Sequence, residues 1–357
     1  MSICDLARPE IRELVPYNAR PPSMESIRLN ANEAPVSPYS SLDSADSNRY
    51  PELRPRSLQS ALATLYGVDQ NNLCPTRGSS EGIDLLVRAF CRAYRDNVVI
   101  LPPTFEMYSA YAAMQAADVR SAPLNMDRGF AVDWQALADQ CDENTRIVFL
   151  CSPNNPTGNI IPRDEILEFA ESRAGKTIVI VDEAYIEFSG ITSLSSEINN
   201  LDNLVVLRTL SKAYALAGAR CGAVLACDQV VELMTALMSP YALSTPVTQL
   251  VLAALEPGNH AAAEEQIAAT KQERDKLRTR LGKLDVVDRV WPGYANFLLV
   301  RFTQPERVRD ALARQNVLTR EFSGVNSLQD CARITIGMPD ENNRLVAALT
   351  SCGSDRA

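Results

Sequence analysis

The sequence predicts an α/β chain whose mainly parallel sheet is covered on both faces, followed by a smaller α+β unit. Three observations predict it. Residues 98–101, 147–151, 177–181 and 204–207 are short apolar runs without polar alternation, the pattern of strands buried on both faces. Stretches with helical spacing of apolar residues separate them, the order that gives parallel strands joined by crossover helices. Past Glu256-Pro257-Gly258 a long charged helix and a new rhythm of strands begin.

Each element follows from local chemistry. Residues 1–45 hold Pro9, Pro16, Pro21, Pro22, Pro35 and Pro38 and read as an irregular arm, since proline locks φ and removes a donor. A helix runs from Ser57 to Tyr66 and stops at Gly67, a residue that accepts the left-handed turn at a helix end. A second opens near Ser80 and carries Ile83, Leu86, Val87 and Phe90 on one stripe. Strand 98–101 precedes a helix over 105–116, Asp133 caps a short helix, and strand 147–151 follows. Pro162 opens the helix of Ile166, Leu167 and Phe169, ahead of strands at 177–181, 204–207 and 221–226. The helix over 261–281 shows a solvated face of Glu264, Glu265, Lys271, Glu273 and Arg274. Beyond it come strands 286–291, 297–302 and 333–336, with helices at 305–315 and 340–349. The expected division is an arm at 1–45 packing with the small unit, a large unit at 46–256 and a small one at 257–357.

Composition narrows the function. The chain has 357 residues, 46% of them hydrophobic, enough for two units with packed cores. A formal net charge of −9 argues against nucleic acid, which needs a clustered basic surface. Nine scattered cysteines form no Cys-x-x-Cys pair, and His260 is the only histidine. That set supplies a metal poorly and reads as reduced thiols. No basic, then apolar, leader opens the chain, and no apolar run nears the roughly 18 residues that span a bilayer. A soluble cytoplasmic protein with no membrane partner is expected.

The chemistry concentrates in three segments. In 207–220, Lys212 stands beside the hydroxyls of Thr209 and Ser211, with Arg220 eight residues on. Hydroxyls and an arginine hold a phosphate while an amine forms a Schiff base with an aldehyde. Pyridoxal phosphate needs both at once. Asn155, in Ser152-Pro153-Asn154-Asn155-Pro156-Thr157-Gly158, and Asp182, in Asp182-Glu183-Ala184-Tyr185, also fall just past predicted strand ends, where ligands of open α/β sheets bind. Asp182 suits a protonated ring nitrogen, Tyr185 and Asn155 the ring's phenolate oxygen, and Lys212 the Schiff base and later proton transfer. The Gly78-Ser79-Ser80 turn at a helix start suits a phosphate, and Tyr108 suits stacking on the ring. Singly, each has an ordinary reading: a cap for Asp182, a turn for Asn-Pro-Thr-Gly, a solvated Ser-Lys pair. The glycine-serine turn matches no phosphate-loop pattern. Their joint order at strand ends carries the assignment.

On these segments the chain resembles the fold type I pyridoxal-phosphate aminotransferases, and more closely the histidinol-phosphate aminotransferase family. Leu29-Asn30-Ala31-Asn32-Glu33, Asn48-Arg49-Tyr50-Pro51, Thr76-Arg77-Gly78, Pro102-Pro103-Thr104, residues 182–188, residues 207–222 and Arg333-Ile334-Thr335-Ile336-Gly337 carry the likeness. The resemblance implies a large domain around a mainly parallel seven-stranded sheet, a smaller α+β domain, and a homodimer. It implies Lys212 as the Schiff-base lysine, Asp182 as the pyridinium partner, and Asn155 with Tyr185 on the phenolate. Tyr108 would stack on the ring and Tyr50 would reach the neighbouring subunit's cofactor phosphate. Arg333 would pair with the α-carboxylate of glutamate, and Arg320, Arg333, Tyr17 and Asn32 with the phosphate of histidinol phosphate. The cup departs from many relatives in reading Gly78-Ser79-Ser80-Glu81 rather than Gly-Ala-Asp-Glu. The implied reaction is ping-pong exchange between glutamate and imidazole-acetol phosphate in histidine biosynthesis. Rival readings are an aromatic aminotransferase, a threonine-phosphate decarboxylase, or a regulator that uses this fold without catalysis.

Overall fold

The structure is a computed structural model that describes residues 2–17, 31–34, 48–322 and 324–354. The elements in chain order are α1 (Pro9–Arg12), α2 (Arg56–Tyr66), β1 (Leu73–Thr76), α3 (Ser79–Phe90), β2 (Asn97–Ile100), α4 (Met107–Met114), β3 (Asp118–Ser121) and α5 (Trp134–Gln140). They continue with β4 (Thr145–Cys151), α6 (Arg163–Ser172), β5 (Ile178–Asp182), β6 (Leu204–Thr209), β7 (Gly222–Leu225), α7 (Asp228–Leu237), α8 (Thr245–Ala254) and α9 (Pro257–Leu281). Last come β8 (Val287–Val290), β9 (Phe297–Phe302), α10 (Pro305–Arg314), β10 (Arg320–Glu321), β11 (Cys331–Thr335) and α11 (Pro339–Ser354).

Local signals set several ends. Gly67 closes α2 at φ 66°, and the Asp133 side chain accepts from the Ala136 amide at the start of α5. The large sheet has seven strands in the order β1-β7-β6-β5-β4-β2-β3. Strands β3, β2, β4, β5 and β6 run parallel, and β7 is antiparallel to both neighbours. Every residue of β2, β5, β6 and β7 is buried. Because successive side chains alternate faces, Val179, Val181 and Val206 enter one core and Ile178, Ile180 and Leu207 the other. The smaller sheet, β10-β11-β9-β8, is antiparallel and packs on α9, α10 and α11 through a third core.

The arm differs from expectation where it is described. Ile3–Leu6 forms a 3-10 turn and Pro9–Arg12 a short helix. Ile3, Ala7 and Ile11 are buried in the core of the large sheet, Ser2 bonds Gln229 of α7, and the Arg8 amide bonds the Ala89 carbonyl. Apolar spacing thus ties this stretch to α3 and α7, not to the small sheet. Pro21, Pro22, Pro35, Pro38, Leu29 and Asn30 lie outside the described residues.

Candidate active site

The parallel strands β4, β5 and β6 end side by side, with Cys151 opposite Asp182 and Asp182 opposite Leu207. Asp182 is 4% exposed. Its Oδ2 accepts from the Tyr108 hydroxyl at 2.8 Å and its Oδ1 from the Ala184 amide at 3.1 Å. Burial pushes this carboxyl above its usual range, while the Tyr108 hydroxyl, the Ala184 amide and the Lys212 charge pull it back. A carboxylate has about four acceptor positions, and two hydrogen bonds leave room for a cationic N–H.

Lys212 follows β6 in a loop closed by Leu210 and Cys221. Its Nζ stands 5.8 Å from the centre of the Tyr185 ring. Partial burial lowers its affinity for a proton, Arg333 and Arg220 lower it further, and Asp182 opposes them. Tyr185 is buried edge-on to Phe297, 5.1 Å between ring centres, and burial raises its hydroxyl pKa. Arg333 reaches over from β11. Its guanidinium lies 5.4 Å above the same Phe297 ring and donates to Asn155 Oδ1 at 2.5 Å. Asn155 is itself steadied by buried Asn154, which bonds Thr104, Pro103 and Thr157.

A second cluster lies at the start of α3. Gly78 adopts φ 77° as the N-cap, and no side chain caps the helix, so the amides of its first turn point out unbonded by a cap. Thr209 and Ser211 share a 3.0 Å hydroxyl contact, and Arg220, at φ 53°, returns its guanidinium to Ser211 at 3.3 Å. A Cβ built on Gly78 would meet that guanidinium at 2.8 Å. One built on Gly222 would lie 2.6 Å from the Arg208 carbonyl and 2.9 Å from the Ser79 amide nitrogen. Strand β7 therefore approaches the turn as only glycine permits. Amides, two hydroxyls and a guanidinium around one turn are a donor set for a phosphate, and a buried carboxylate and an amine stand close by. The residues fit pyridoxal phosphate.

The structure thus brings together Asn155, Asp182, Tyr185, Lys212 and Arg333, and gathers Gly78, Ser79, Ser80, Thr209, Ser211 and Arg220. Arg320 sits opposite Arg333 in register, so both project from one face of the small sheet, but its guanidinium pairs with Glu106 at 3.1 Å. Tyr108 takes a different place from the one expected. It is fully buried, stacked on Phe149 at 4.6 Å and 5°. One ring face is taken by Phe149, and the Tyr108 hydroxyl donates to Asp182. Tyr17 and Tyr50, both exposed, gather around Tyr241, with Tyr50 stacked on it at 4.7 Å. Asn32, exposed at φ 55°, precedes Glu33, which accepts from the Tyr50 amide and pairs with Arg49. Sequence reasoning missed Asn154, Phe297 and Tyr241. Only the adjacency of Asn154 to Asn155 offered a signal.

Residues 16–349 match the aminotransferase class I and II family. Over 351 residues the chain is 39% identical to the histidinol-phosphate aminotransferase of Salmonella choleraesuis (strain SC-B67), which spans 98% of this chain and 97% of that one. The fold is similar to that of the histidinol-phosphate aminotransferase from Sinorhizobium meliloti, solved in complex with pyridoxal-5'-phosphate. The TM-score is 0.75 at 24% identity, covering 87% of this chain and 84% of that one. It is also similar to the L-threonine-O-3-phosphate decarboxylase from Porphyromonas gingivalis, with a TM-score of 0.68 at 26% identity over 85% and 90% of the two chains. A family match across nearly the whole sequence, around a lysine and a buried aspartate in one crevice, makes this chain a member of the class I and II aminotransferases.

Proposed function

We infer that this chain transfers an amino group between glutamate and imidazole-acetol phosphate, giving 2-oxoglutarate and histidinol phosphate reversibly, in histidine biosynthesis. Its cofactor is pyridoxal phosphate. The observation that carries the reading is Lys212 sharing a crevice with buried Asp182 while Arg333 enters it from the second sheet. When bound, the cofactor supplies an electron sink for the pair left by a broken Cα–H bond.

The protein's own residues do the rest. Asp182 holds a proton on the ring nitrogen, and Asn155 and Tyr185 donate to the ring oxygen. The amides of Gly78–Ser80, with Thr209, Ser211 and Arg220, bind the phosphate. Lys212 is the Schiff-base lysine. Its amine, depressed in proton affinity by burial and two arginines, loses its proton more readily than an exposed lysine, which suits it to act as nucleophile and to move the proton at substrate Cα. Two arginines directly opposite on neighbouring strands repel, a cost that an anion between them removes. Arg333 suits the glutamate carboxylate bidentately, and Arg320 with Arg333, helped by Tyr17 and Asn32, suits the phosphate of the second substrate.

The division into an arm at 1–45, a large unit at 46–256 and a small unit at 257–357 accords with the two sheets. A homodimer is supported by Tyr17 and Tyr50, which expose about half their surface around Tyr241. A second copy would cover them and take Tyr50 to its cofactor phosphate. The nine cysteines are free thiols, as a reducing cytoplasm keeps them. Lys212→Ala tests the assignment. Wild-type protein with cofactor shows a visible band that glutamate bleaches and imidazole-acetol phosphate restores, and the variant shows neither change. Normal turnover in the variant, or release of carbon dioxide from threonine phosphate as the faster reaction, refutes it.

A further inference from the structure

A second buried cluster lies directly behind the crevice. Alternate residues of a strand face opposite sides of a sheet. At the ends of β5 and β6, Asp182 and Thr209 face the cofactor side, so Glu183 and Arg208 turn to the other. Glu183 is 1% exposed and Arg208 7%. The Glu183 carboxylate accepts from the Ser193 hydroxyl at 2.5 Å and the Leu194 amide at 2.8 Å, with Arg208 Nη1 at 3.6 Å. Arg208 Nη2 donates to Glu187 Oε1 at 2.9 Å and Nη1 to the Ser193 hydroxyl at 3.3 Å. Its guanidinium lies 4.5 Å above the Tyr66 ring.

Stability does not explain this arrangement. Arg208 Nε, Glu187 Oε2 and Tyr66 Oη are buried without a hydrogen-bond partner among the described residues, and a buried ion pair is commonly matched or bettered by apolar residues of its volume. Position does explain it. Glu183 adjoins Asp182, Glu187 lies in the 3-10 turn Ile186–Phe188 that follows Tyr185, and Arg208 adjoins Thr209 at the entry to the Lys212 loop. One planar guanidinium therefore ties the 182–188 stretch, which carries Asp182 and Tyr185, to the entry of the loop that carries Thr209 and Lys212.

We propose that Arg208, bridging Glu183, Glu187 and Ser193, is a positioning residue that sets the spacing between Asp182, Tyr185 and the Thr209–Lys212 loop, and so determines cofactor affinity without touching the cofactor. The proposal rests on reading Asp182 and Lys212 as the cofactor's partners. A lysine retains the charge but not the fork. A methionine fills the space without either.

The test titrates the full-length apoprotein with pyridoxal phosphate for wild type, Arg208→Lys, Arg208→Met and Glu187→Gln. It reads the dissociation constant, the pH midpoint of the visible band and the thermal midpoint of the apoprotein. Both Arg208 variants are expected to bind about tenfold more weakly or worse, the loss typical when a supporting contact to a binding group is removed. Their band midpoint should move, even where the thermal midpoint is unchanged or raised. Glu187→Gln, which retains an acceptor for Arg208, should fall between them and wild type, and it decides the matter if the Arg208 variants aggregate. Wild-type affinity and band midpoint in the variants that fold overturn the proposal. If wild type forms no visible band, or Lys212→Ala forms the same one, the cofactor reading fails and the proposal with it.

Discussion

Replacing Tyr108 with phenylalanine probes the link between core packing and the buried carboxylate. The substitution removes one oxygen from a fully buried ring that remains stacked on Phe149 at 4.6 Å, so no cavity opens. What is lost is the 2.8 Å hydrogen bond to Asp182 Oδ2, while the Ala184 amide continues to donate to Oδ1. A hydrogen bond to a charged group contributes about 1.5–3 kcal/mol, one between neutral groups about 0.5–1.5 kcal/mol. The loss therefore depends on whether Asp182 is ionised.

The sign follows from the direction of its pKa. Burial holds the Asp182 carboxyl above its usual value, and the Tyr108 hydroxyl is the strongest of the groups pulling it down, so the variant's carboxyl lies higher still. From the unfolded value of about 3.9 upward to the folded value, the native state binds more protons than the unfolded state and stability falls as pH rises. In Tyr108→Phe that window extends further up. Urea unfolding of the apoproteins at about pH 5 and about pH 8 should show a deficit that is larger at the higher pH. Turnover at neutral pH should drop between about tenfold and a hundredfold, the same energy read as a rate. A deficit equal at both pH values, with turnover unchanged, refutes the reasoning.

If Arg320 holds the substrate phosphate as proposed, Arg320→Ala removes a charge-assisted contact of about 1.5–3 kcal/mol and should raise KM for histidinol phosphate far more than for glutamate. Equal losses for the two substrates count against its role. Gly222→Ala places a methyl 2.6 Å from the Arg208 carbonyl and 2.9 Å from the Ser79 amide nitrogen. Overpacking of that kind costs about 1–3 kcal/mol, seen as a lower thermal midpoint together with weaker cofactor binding; full affinity would mean the turn is not the phosphate cup. Arg333 and Arg220 both depress the Lys212 amine, so inorganic phosphate bound to the apoprotein should move the pH midpoint of its labelling by an aldehyde upward, and a midpoint that stays put speaks against the two arginines facing that amine.

Chemistry is more readable in the sequence than support. Lys212, Asp182 and Asn155 stand out because the residue type itself performs the task and because β4, β5 and β6 are apolar runs whose ends announce themselves. The edges of the large sheet carry no such run: β1 contains Pro75 and β3 reads Asp-Val-Arg-Ser, both tolerable only where one side of the ladder is unpaired. Helix α7 also escapes sequence reasoning, although Val230, Val231 and Met234 are buried on it at helical spacing. Tyr108 shows the deeper difficulty. A tyrosine at the start of a helix displays a ring and a hydroxyl equally, and only the approach of Phe149 and Asp182, residues 41 and 74 positions away in the chain, decides which one serves the site. Arg320 and Arg333 raise the same point from the other side. The two-residue strand β10 is too short for any periodicity, yet its register with β11 sets two like charges face to face. The substrate-phosphate role proposed for these two arginines therefore rests on a strand pairing that no motif displays.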